Sequence, residues 1–155
     1  MQINPKVMLI EDDPNDLQLT MRAMVKAGVA ASDVLVARDG EEALHYIFGE
    51  DGKNYDATAL GTSLRLILLD LKLPKISGIE VLMKIKSDER TRLIPVAILT
   101  SSDEDQDVFS CYKYGVNSYV RKPVSSEKFE SIVKELGIYW VSVNHPISQH
   151  TPRPL

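Results

Sequence analysis

The sequence predicts an α/β fold, in which an open parallel sheet carries helices on both of its faces. Five short apolar runs, rich in Val, Ile and Leu, alternate along the chain with five longer amphipathic stretches. Most of the runs are nearly continuous, as in parallel strands that are buried on both faces. Right-handed connections turn the resulting order, βαβαβαβαβα, into one doubly wound sheet.

Each element in this order has its own sequence signal. The predicted strands are the apolar runs Val7–Ile10, Val34–Ala37, Leu64–Leu69, Pro95–Leu99 and Ser118–Val120. The predicted helices follow them, because apolar residues recur there at helical spacing. Asp13-Pro14 is a good start for the first helix. The five apolar stripes are Leu17, Met21, Met24 and Val25; Ala43, Leu44, Ile47 and Phe48; Ile79, Leu82 and Ile85; Val108, Cys111, Tyr112 and Gly115; and Phe129, Ile132, Val133, Leu136 and Trp140.

The chain of 155 residues has the length of one ordinary domain. We expect this domain to span residues 1–143, with no room for a second domain after residue 140. Residues 144–155 carry three prolines without periodicity, which predicts a flexible tail. Gly49–Ser63 is long and polar, and is typical of a mobile surface loop.

Composition excludes several classes of protein. Asp and Glu number 22 against 18 Lys and Arg, a net charge of −4, so we expect no direct binding to nucleic acid. Cys111 is the single cysteine, which excludes an internal disulfide and a cysteine-based zinc site. Apolar runs fall short of the roughly 18 residues that a membrane helix needs. The N-terminus lacks the pattern of a secretory signal, and we therefore expect a cytoplasmic protein without a membrane partner.

Polar residues follow four of the five predicted strands. Glu11-Asp12-Asp13 follows the first strand, Asp70 the third, Thr100 the fourth and Lys122 the fifth. In an open α/β sheet, ligands bind beyond the carboxyl ends of the strands, so these side chains are expected to converge at one edge.

The chemistry of this edge points to a metal ion and a phosphoryl group. Adjacent carboxylates repel one another unless a positive charge lies between them. Mg²⁺, or Mn²⁺ as an alternative, suits one or two protein carboxylates and shares its coordination shell with phosphate oxygens. Lys122 and Thr100 supply the ammonium and hydroxyl donors that a phosphoryl group binds. One carboxylate then serves as nucleophile and forms an aspartyl phosphate.

Four motifs carry a resemblance to a known family. MLIEDD, LILLDLKLPKISG, VAILTSS and SYVRKP resemble the receiver domains of two-component response regulators, over about residues 5–140. The resemblance implies a flavodoxin-like, five-stranded parallel sheet of order 2-1-3-4-5. It also implies a signalling domain that is not an enzyme in its own right.

The same resemblance assigns the metal and phosphorylation site. Asp70 would be the phosphoacceptor. Asp13 would bind Mg²⁺ directly, whereas Asp12 would act mostly through a metal-bound water. The backbone carbonyl of Lys72 would be a further metal ligand.

Other residues take their implied roles around the phosphoryl group. Lys122 would pair with Asp70 and then with the phosphoryl group, and Thr100 would hydrogen-bond that group. Tyr119 would be the aromatic switch, whose ring turns inward as Thr100 moves. The Lys122–Pro123 bond resembles the family's cis peptide, a form that bonds before proline adopt at low cost.

Simpler interpretations stand beside these roles. Asp12 and Asp13 are also suited to cap the first helix, because Asp before Pro14 is a good N-terminal signal. A tyrosine in a strand, such as Tyr119, is often a packing residue. A Mg²⁺-dependent phosphatase with an aspartyl nucleophile would share the carboxylates, but such enzymes use an Asp-x-Asp pair, and Lys72 stands where the second Asp would be. An FMN carrier is disfavoured, since acids replace a phosphate-binding loop after the first strand.

The sequence therefore predicts a stand-alone response regulator, phosphorylated on Asp70 from a phosphohistidine of a sensor histidine kinase. The new charge would bias the face formed by the fourth predicted helix, the fifth strand and the fifth helix, which is also the candidate face for a homodimer. The Gly49–Ser63 segment, LPKISG and the ELGIYW sequence resemble the small regulators paired with bacterial phytochromes. That narrower resemblance implies a phytochrome kinase as partner.

Overall fold

The computed structural model describes residues 4–49 and 57–147. The predicted tail beyond residue 147 and residues 50–56 of the predicted loop lie outside the described residues. The elements, in order, are β1 (Val7–Ile10), α1 (Pro14–Lys26), a 3₁₀ turn (Ala31–Asp33), β2 (Val34–Ala37), α2 (Gly40–Phe48), α3 (Ala57–Ser63), β3 (Leu66–Leu69), α4 (Gly78–Ser87), β4 (Val96–Thr100), α5 (Asp105–Lys113), β5 (Ser118–Arg121), α6 (Ser126–Gly137) and a π-helix (Ile138–Val143) that continues α6.

The five strands form one parallel sheet in the order β2-β1-β3-β4-β5, which confirms the predicted fold class. Ile10 at the end of β1 lies between Ala37 of β2 and Leu69 of β3. Leu69 in turn lies opposite Ile98 of β4. The strands therefore end in register, and the residues that follow them meet at one edge of the sheet.

Both faces of the sheet are buried, as the continuous apolar runs predict. Alternate strand residues point to opposite faces. Ile10 and Leu69 pack with side chains of α2, α4 and α5, among them Ile47, Leu82 and the fully buried Cys111. The other face packs against α1 and α6, through Leu9, Leu68 and Leu99 of the sheet and Met24, Phe129 and Val133 of the helices.

The prediction of a loop over Gly49–Ser63 is wrong for nearly its last half, because Ala57–Ser63 forms α3. Leu60 is buried in the core, and Gly61 lies so close to the Arg90 carbonyl that a Cβ atom would come within 2.2 Å of it. Leu60 and the close approach at Gly61 hold this helix in place. A single leucine and a glycine do not form an apolar stripe, so the sequence pattern does not indicate a helix here. In the described part of the chain, no helix is both long and apolar enough to span a bilayer.

The loop that follows β3 is held on two sides. Gly78, the first residue of α4, packs directly on the Asp70 carbonyl, where a Cβ would lie 2.2 Å from the oxygen. The amide of Gly78 donates to the Leu71 carbonyl at 2.9 Å. Lys75 has a left-handed backbone with φ of 68° and places its Nζ 3.4 Å from Asp39 at the start of α2. The backbone after Asp70 is thereby fixed by both α2 and α4.

At the opposite end of the sheet, Lys86 joins three segments of the chain. Its Nζ donates to the Arg92 carbonyl at 3.1 Å, the Ile94 carbonyl at 2.7 Å and Asn117 Oδ1 at 3.0 Å. Asn117 Oδ1 also accepts the Val96 amide at 2.8 Å. All of these acceptors are neutral, and burial lowers the pKa of Lys86 to about 8. This lysine connects the end of α4 to the amino ends of β4 and β5.

Candidate functional site

Three carboxylates meet where β1 and β3 end. Glu11 continues directly from β1 and Asp70 from β3, and these strands are neighbours in the sheet. Glu11 and Asp70 are buried, whereas Asp12 is exposed. One carboxylate oxygen of each of these three residues lies within 4.8 Å of the others. The cluster is therefore anchored in the core and open to solvent on one side.

Lys122 reaches the cluster from the end of β5. Its Nζ lies 2.5 Å from Glu11 Oε1, 3.0 Å from Asp70 Oδ2 and 2.8 Å from Asp16 Oδ2. The Lys122 side chain is only 11% exposed. Its backbone amide donates to the Thr100 carbonyl at 2.7 Å, so the chain leaving β5 is tied to the end of β4. An ammonium group has three N–H donors, and each of them here has a carboxylate acceptor.

The charges of this cluster shift two pKa values upward. Burial raises the pKa of the Glu11 carboxyl to about 8, against the hydrogen bond from Lys122, and the charge of Asp70 adds to the rise. Burial lowers the pKa of Lys122, but hydrogen bonds to Asp16 and Glu11 and the charge of Asp70 outweigh it, so its pKa lies above the usual range. The lysine is therefore charged at neutral pH, and the cluster still carries more carboxylates than cations.

This donor set fits a hard divalent cation. Carboxylate oxygens are the ligands that Mg²⁺ and Mn²⁺ prefer, and a cation would relieve the repulsion among the acids. The Lys72 amide donates to Asp70 Oδ1 at 3.3 Å, so the backbone amide of Lys72 lies beside the carboxylate. Glu11, Asp12 and Asp70 are the residues whose side chains are placed to hold such an ion.

The predicted metal role of Asp13 needs correction. Its Oδ1 accepts the amides of Asn15 and Asp16, at 2.8 and 2.9 Å, and caps α1. The acid cluster found in the described part of the chain contains Glu11, Asp12 and Asp70, without Asp13. The capping alternative is therefore the observed one for Asp13, because the helix begins at Pro14 and takes the last of the three acids for its N-terminus.

The sequence does not predict a site role for two acids near Lys122. The sequence pattern places Glu11 at the end of the first strand without a role in the site, and it gives no indication for Asp16. A signal for Glu11 was present, since a capping Asp13 before Pro14 leaves Glu11 and Asp12 as the pair at the strand end. Asp16 follows the cap by three residues and therefore lies in the first turn of α1. Its approach to Lys122 depends on tertiary packing, for which the local sequence carries no signal.

Thr100, Ser102 and Tyr119 form a connected group beside the cluster. Thr100 is fully buried at the end of β4, and its Oγ1 accepts the Ser102 amide at 3.4 Å. The Tyr119 hydroxyl donates to the Ser102 carbonyl at 3.0 Å. The Ser102 hydroxyl donates to Asp107 Oδ2 at 2.6 Å, which connects this loop to α5. The structure thus places Tyr119 next to the residues that follow Thr100.

The prediction of a cis bond between Lys122 and Pro123 is wrong for this structure. The described residues contain no cis peptide bond. The trans form is intrinsically favoured even before proline, by about 0.5–1 kcal/mol. The Lys122 ammonium reaches all three carboxylates with the bond in the trans form.

Comparison with known proteins decides the family. A family model described as the response regulator receiver domain matches residues 7–134. The chain belongs to this family. As a receiver-domain response regulator it is a protein of two-component signalling, which confirms the resemblance found in the four sequence motifs.

Curated relatives match most of this receiver domain. The probable methanogenesis regulatory protein FilR2 of Methanothrix harundinacea is 41% identical over 139 residues, which cover 89% of this chain and 84% of FilR2. The response regulator Rcp1 of Synechocystis is 30% identical over 137 residues, 88% of this chain and 90% of Rcp1. The similarity therefore extends over nearly the whole length of both relatives.

Solved structures agree with the fold. The phosphorylated cyanobacterial phytochrome response regulator RcpA is 35% identical, covers 94% of this chain and 99% of its own, and has a TM-score of 0.81. The Mn²⁺-bound structure of Rcp1 is 29% identical, with coverages of 93% and 100% and a TM-score of 0.82. The receiver domain is thus related to phytochrome response regulators, and one of these relatives has been seen with a divalent metal.

Proposed function

We propose that this protein is a stand-alone response regulator that accepts a phosphoryl group on Asp70. The observation that carries the proposal is the Asp70 carboxylate at the end of β3, buried, held by Lys122 at 3.0 Å and grouped with two further acids. A carboxylate oxygen of Asp70 would attack the phosphorus of a phosphohistidine on a sensor histidine kinase. The new O–P bond forms as the P–N bond breaks, and the imidazole leaves.

The acids of the cluster would hold Mg²⁺, with Mn²⁺ as the alternative. Glu11, Asp12 and Asp70 would supply side-chain oxygens, directly or through water, and Lys72 its backbone carbonyl. When bound, the ion supplies positive charge that offsets the charge of the transferring phosphoryl group. Support for a divalent metal comes from the hard oxygen donors of this chain and from the Mn²⁺-bound structure of Rcp1.

Lys122 and Thr100 would serve the phosphoryl group itself. Lys122 carries a fixed positive charge in a partly dehydrated position, where an ammonium stabilises anionic oxygens more than it does in water. Thr100 ends β4, the strand beside β3. Its hydroxyl oxygen accepts a hydrogen bond from the amide of Ser102. A move of this hydroxyl toward the phosphoryl group would break that contact and loosen the loop that Tyr119 holds.

The face formed by α5, β5 and α6 would transmit the signal. Thr100 connects to it through Ser102, whose carbonyl and hydroxyl bind Tyr119 of β5 and Asp107 of α5. Large apolar side chains of α5 lie exposed, with Phe109 at 70% and Tyr112 at 54%. We assign this face to partner binding and to the contact of a homodimer. Light scattering before and after phosphorylation would measure the mass of that dimer.

The kinase partner is proposed from the relatives. RcpA is described as a phytochrome response regulator, and it matches this chain over nearly its full length. A phytochrome histidine kinase is therefore the proposed phosphoryl donor, and the cytoplasm the proposed compartment. Residues 1–143 remain the proposed extent of the domain.

The direct test is intact-protein mass after incubation with acetyl phosphate and Mg²⁺. We expect a labile gain of one phosphoryl group in the wild type, which is absent in Asp70→Asn and in a chelator-treated sample. Asp13→Asn is the matched control, since it changes a neighbouring acid that caps α1 and should leave the gain intact. A gain that persists in Asp70→Asn would refute Asp70 as the acceptor.

A further inference from the structure

Asp16 stands apart from the other acids that bind Lys122. It lies in the first turn of α1, and its Oδ2 is 2.8 Å from Lys122 Nζ. Its side chain is 30% exposed, against 10% for that of Asp70. Glu11 and Asp70 belong both to the lysine contacts and to the cluster that could hold a metal, whereas Asp16 belongs to the lysine contacts alone.

The three donors of the Lys122 ammonium are already occupied. Glu11, Asp16 and Asp70 each accept one of its N–H groups. A phosphoryl oxygen at Asp70 therefore gains a hydrogen bond from Lys122 only if an existing acceptor gives way or shares its donor. Asp16 contacts Lys122 but is not part of the acid cluster that could hold a metal. Its carboxylate is therefore the acceptor that would compete with the incoming anion for the Lys122 ammonium.

Charge acts in the same direction. Asp16 adds one negative charge close to a site that holds three other carboxyl groups and one lysine. An extra negative charge favours a divalent cation and disfavours a phosphoryl anion at the same place. The two ligands of the site should therefore respond to Asp16 with opposite signs.

We propose that Asp16 is a positioning residue that competes with the phosphoryl group for Lys122, and so weakens anion binding while strengthening cation binding. This inference rests on the proposed phosphorylation of Asp70. It makes Asp16 a determinant of how readily the phosphorylated state forms and how long it lasts.

Calorimetric titrations test the inference on the full chain. Mg²⁺ is titrated first, and beryllofluoride, a mimic of the phosphoryl group, is then titrated at saturating Mg²⁺ for each protein. In Asp16→Asn we expect beryllofluoride to bind roughly threefold to tenfold tighter and Mg²⁺ to bind about threefold weaker. Asp16→Glu keeps the charge and should stay close to the wild type for Mg²⁺.

The matched control is Asp13→Asn, which removes the same charge from the same helix end. Asp13 contacts backbone amides of α1, and Asn is an equally good cap, so the fold is retained. We expect both affinities in this control to stay within about twofold of the wild type.

The outcomes separate the inference from the proposed function. Opposite shifts in Asp16→Asn, with small changes in Asp13→Asn, support competition. A loss of affinity for both ligands would identify Asp16 as a simple anchor of Lys122 and overturn the inference, as would no change in either. A wild type that binds Mg²⁺ but not beryllofluoride would overturn the proposed function itself, and this inference with it.

Discussion

Two lysines at opposite ends of the sheet each donate three hydrogen bonds, but the acceptors differ in charge. Lys122, after β5, donates to three carboxylates, and its pKa is raised. Lys86, at the end of α4, donates to two carbonyls and one side-chain amide, and burial lowers its pKa to about 8. The two lysines have equal numbers of partners, so the difference in their pKa follows from the charge of those partners.

The difference separates the end of the sheet that carries the acid cluster from the end where the lysine has a structural role. Around Lys122 negative charge is in excess, and the proposed divalent cation would offset it. Around Lys86 every acceptor belongs to the segments that it connects, and the lysine serves to fix their geometry. Substituting each lysine by methionine, which keeps the length of the apolar stem, should reveal this division.

The largest effect is expected for phosphorylation. Lys122→Met removes the cation beside Asp70, and the rate of phosphorylation by acetyl phosphate should fall by about 100-fold. Lys86→Met should stay close to the wild-type rate, since this lysine is remote from the cluster. Time courses of intact-protein mass measure both rates. Equal losses in the two variants would refute the division between the two ends.

The response to metal should follow the same division. Mg²⁺ at 100 times its dissociation constant should stabilise the wild type by about 2.7 kcal/mol, because it binds the folded state alone. Asp12→Asn removes an acid of the cluster and should lose most of this gain. Lys86→Met should keep it in full. Thermal unfolding with and without Mg²⁺ measures the difference, and a gain unchanged in Asp12→Asn would exclude Asp12 as a ligand.

Fold stability should show the complementary pattern. Lys86→Met leaves the carbonyls of Arg92 and Ile94 without this donor, and we expect a loss of about 1–3 kcal/mol in the free energy of unfolding. Asn117 keeps its bond to the Val96 amide, which limits the damage. Urea denaturation at pH 7 gives the value. A variant as stable as the wild type would mean that water replaces the ammonium without cost.

The last prediction concerns pH. Lys86 titrates near pH 8 in the folded protein and near 10.5 when unfolded, so between these values the unfolded chain binds the extra proton. Stability from this group therefore increases as pH rises from about 8 to about 10.5, and is lost as pH falls through 8. Urea denaturation at pH 7 and pH 10 gives the free energy of unfolding of the wild type and of Lys86→Met. The wild-type value minus the Lys86→Met value should be larger at pH 10 than at pH 7. A difference that shrinks would contradict the lowered pKa.

Much of the fold could be predicted from the sequence because the strands are apolar on both faces. Val7–Ile10 and Val34–Ala37 match β1 and β2 residue for residue. The third apolar run begins two residues before the strand, at Leu64, whereas β3 starts at Leu66. Leu64 is buried just outside the strand, and apolar character alone does not distinguish a strand residue from a buried loop residue.

The site was less predictable, for reasons of geometry. Three successive acids follow β1, and which of them faces the sheet edge depends on where the strand ends and α1 begins. Glu11 directly follows β1 and is buried, whereas the side chain of Asp13 caps α1. The approach of Asp16 to Lys122 spans 106 positions in the chain, a distance over which residue patterns carry little information.

The burial of Cys111 also gives the protein a practical property. It is the single cysteine of the chain, it packs inside the core, and burial and Asp107 raise its pKa to about 11. Since the thiolate is the reactive form, this native thiol should resist alkylating reagents under native conditions. A cysteine introduced on the exposed side of α5, as in Tyr112→Cys, would then carry a fluorophore or spin label selectively. The proposed partner-binding face of α5, β5 and α6 can thus be followed by spectroscopy without first removing a native residue from the core.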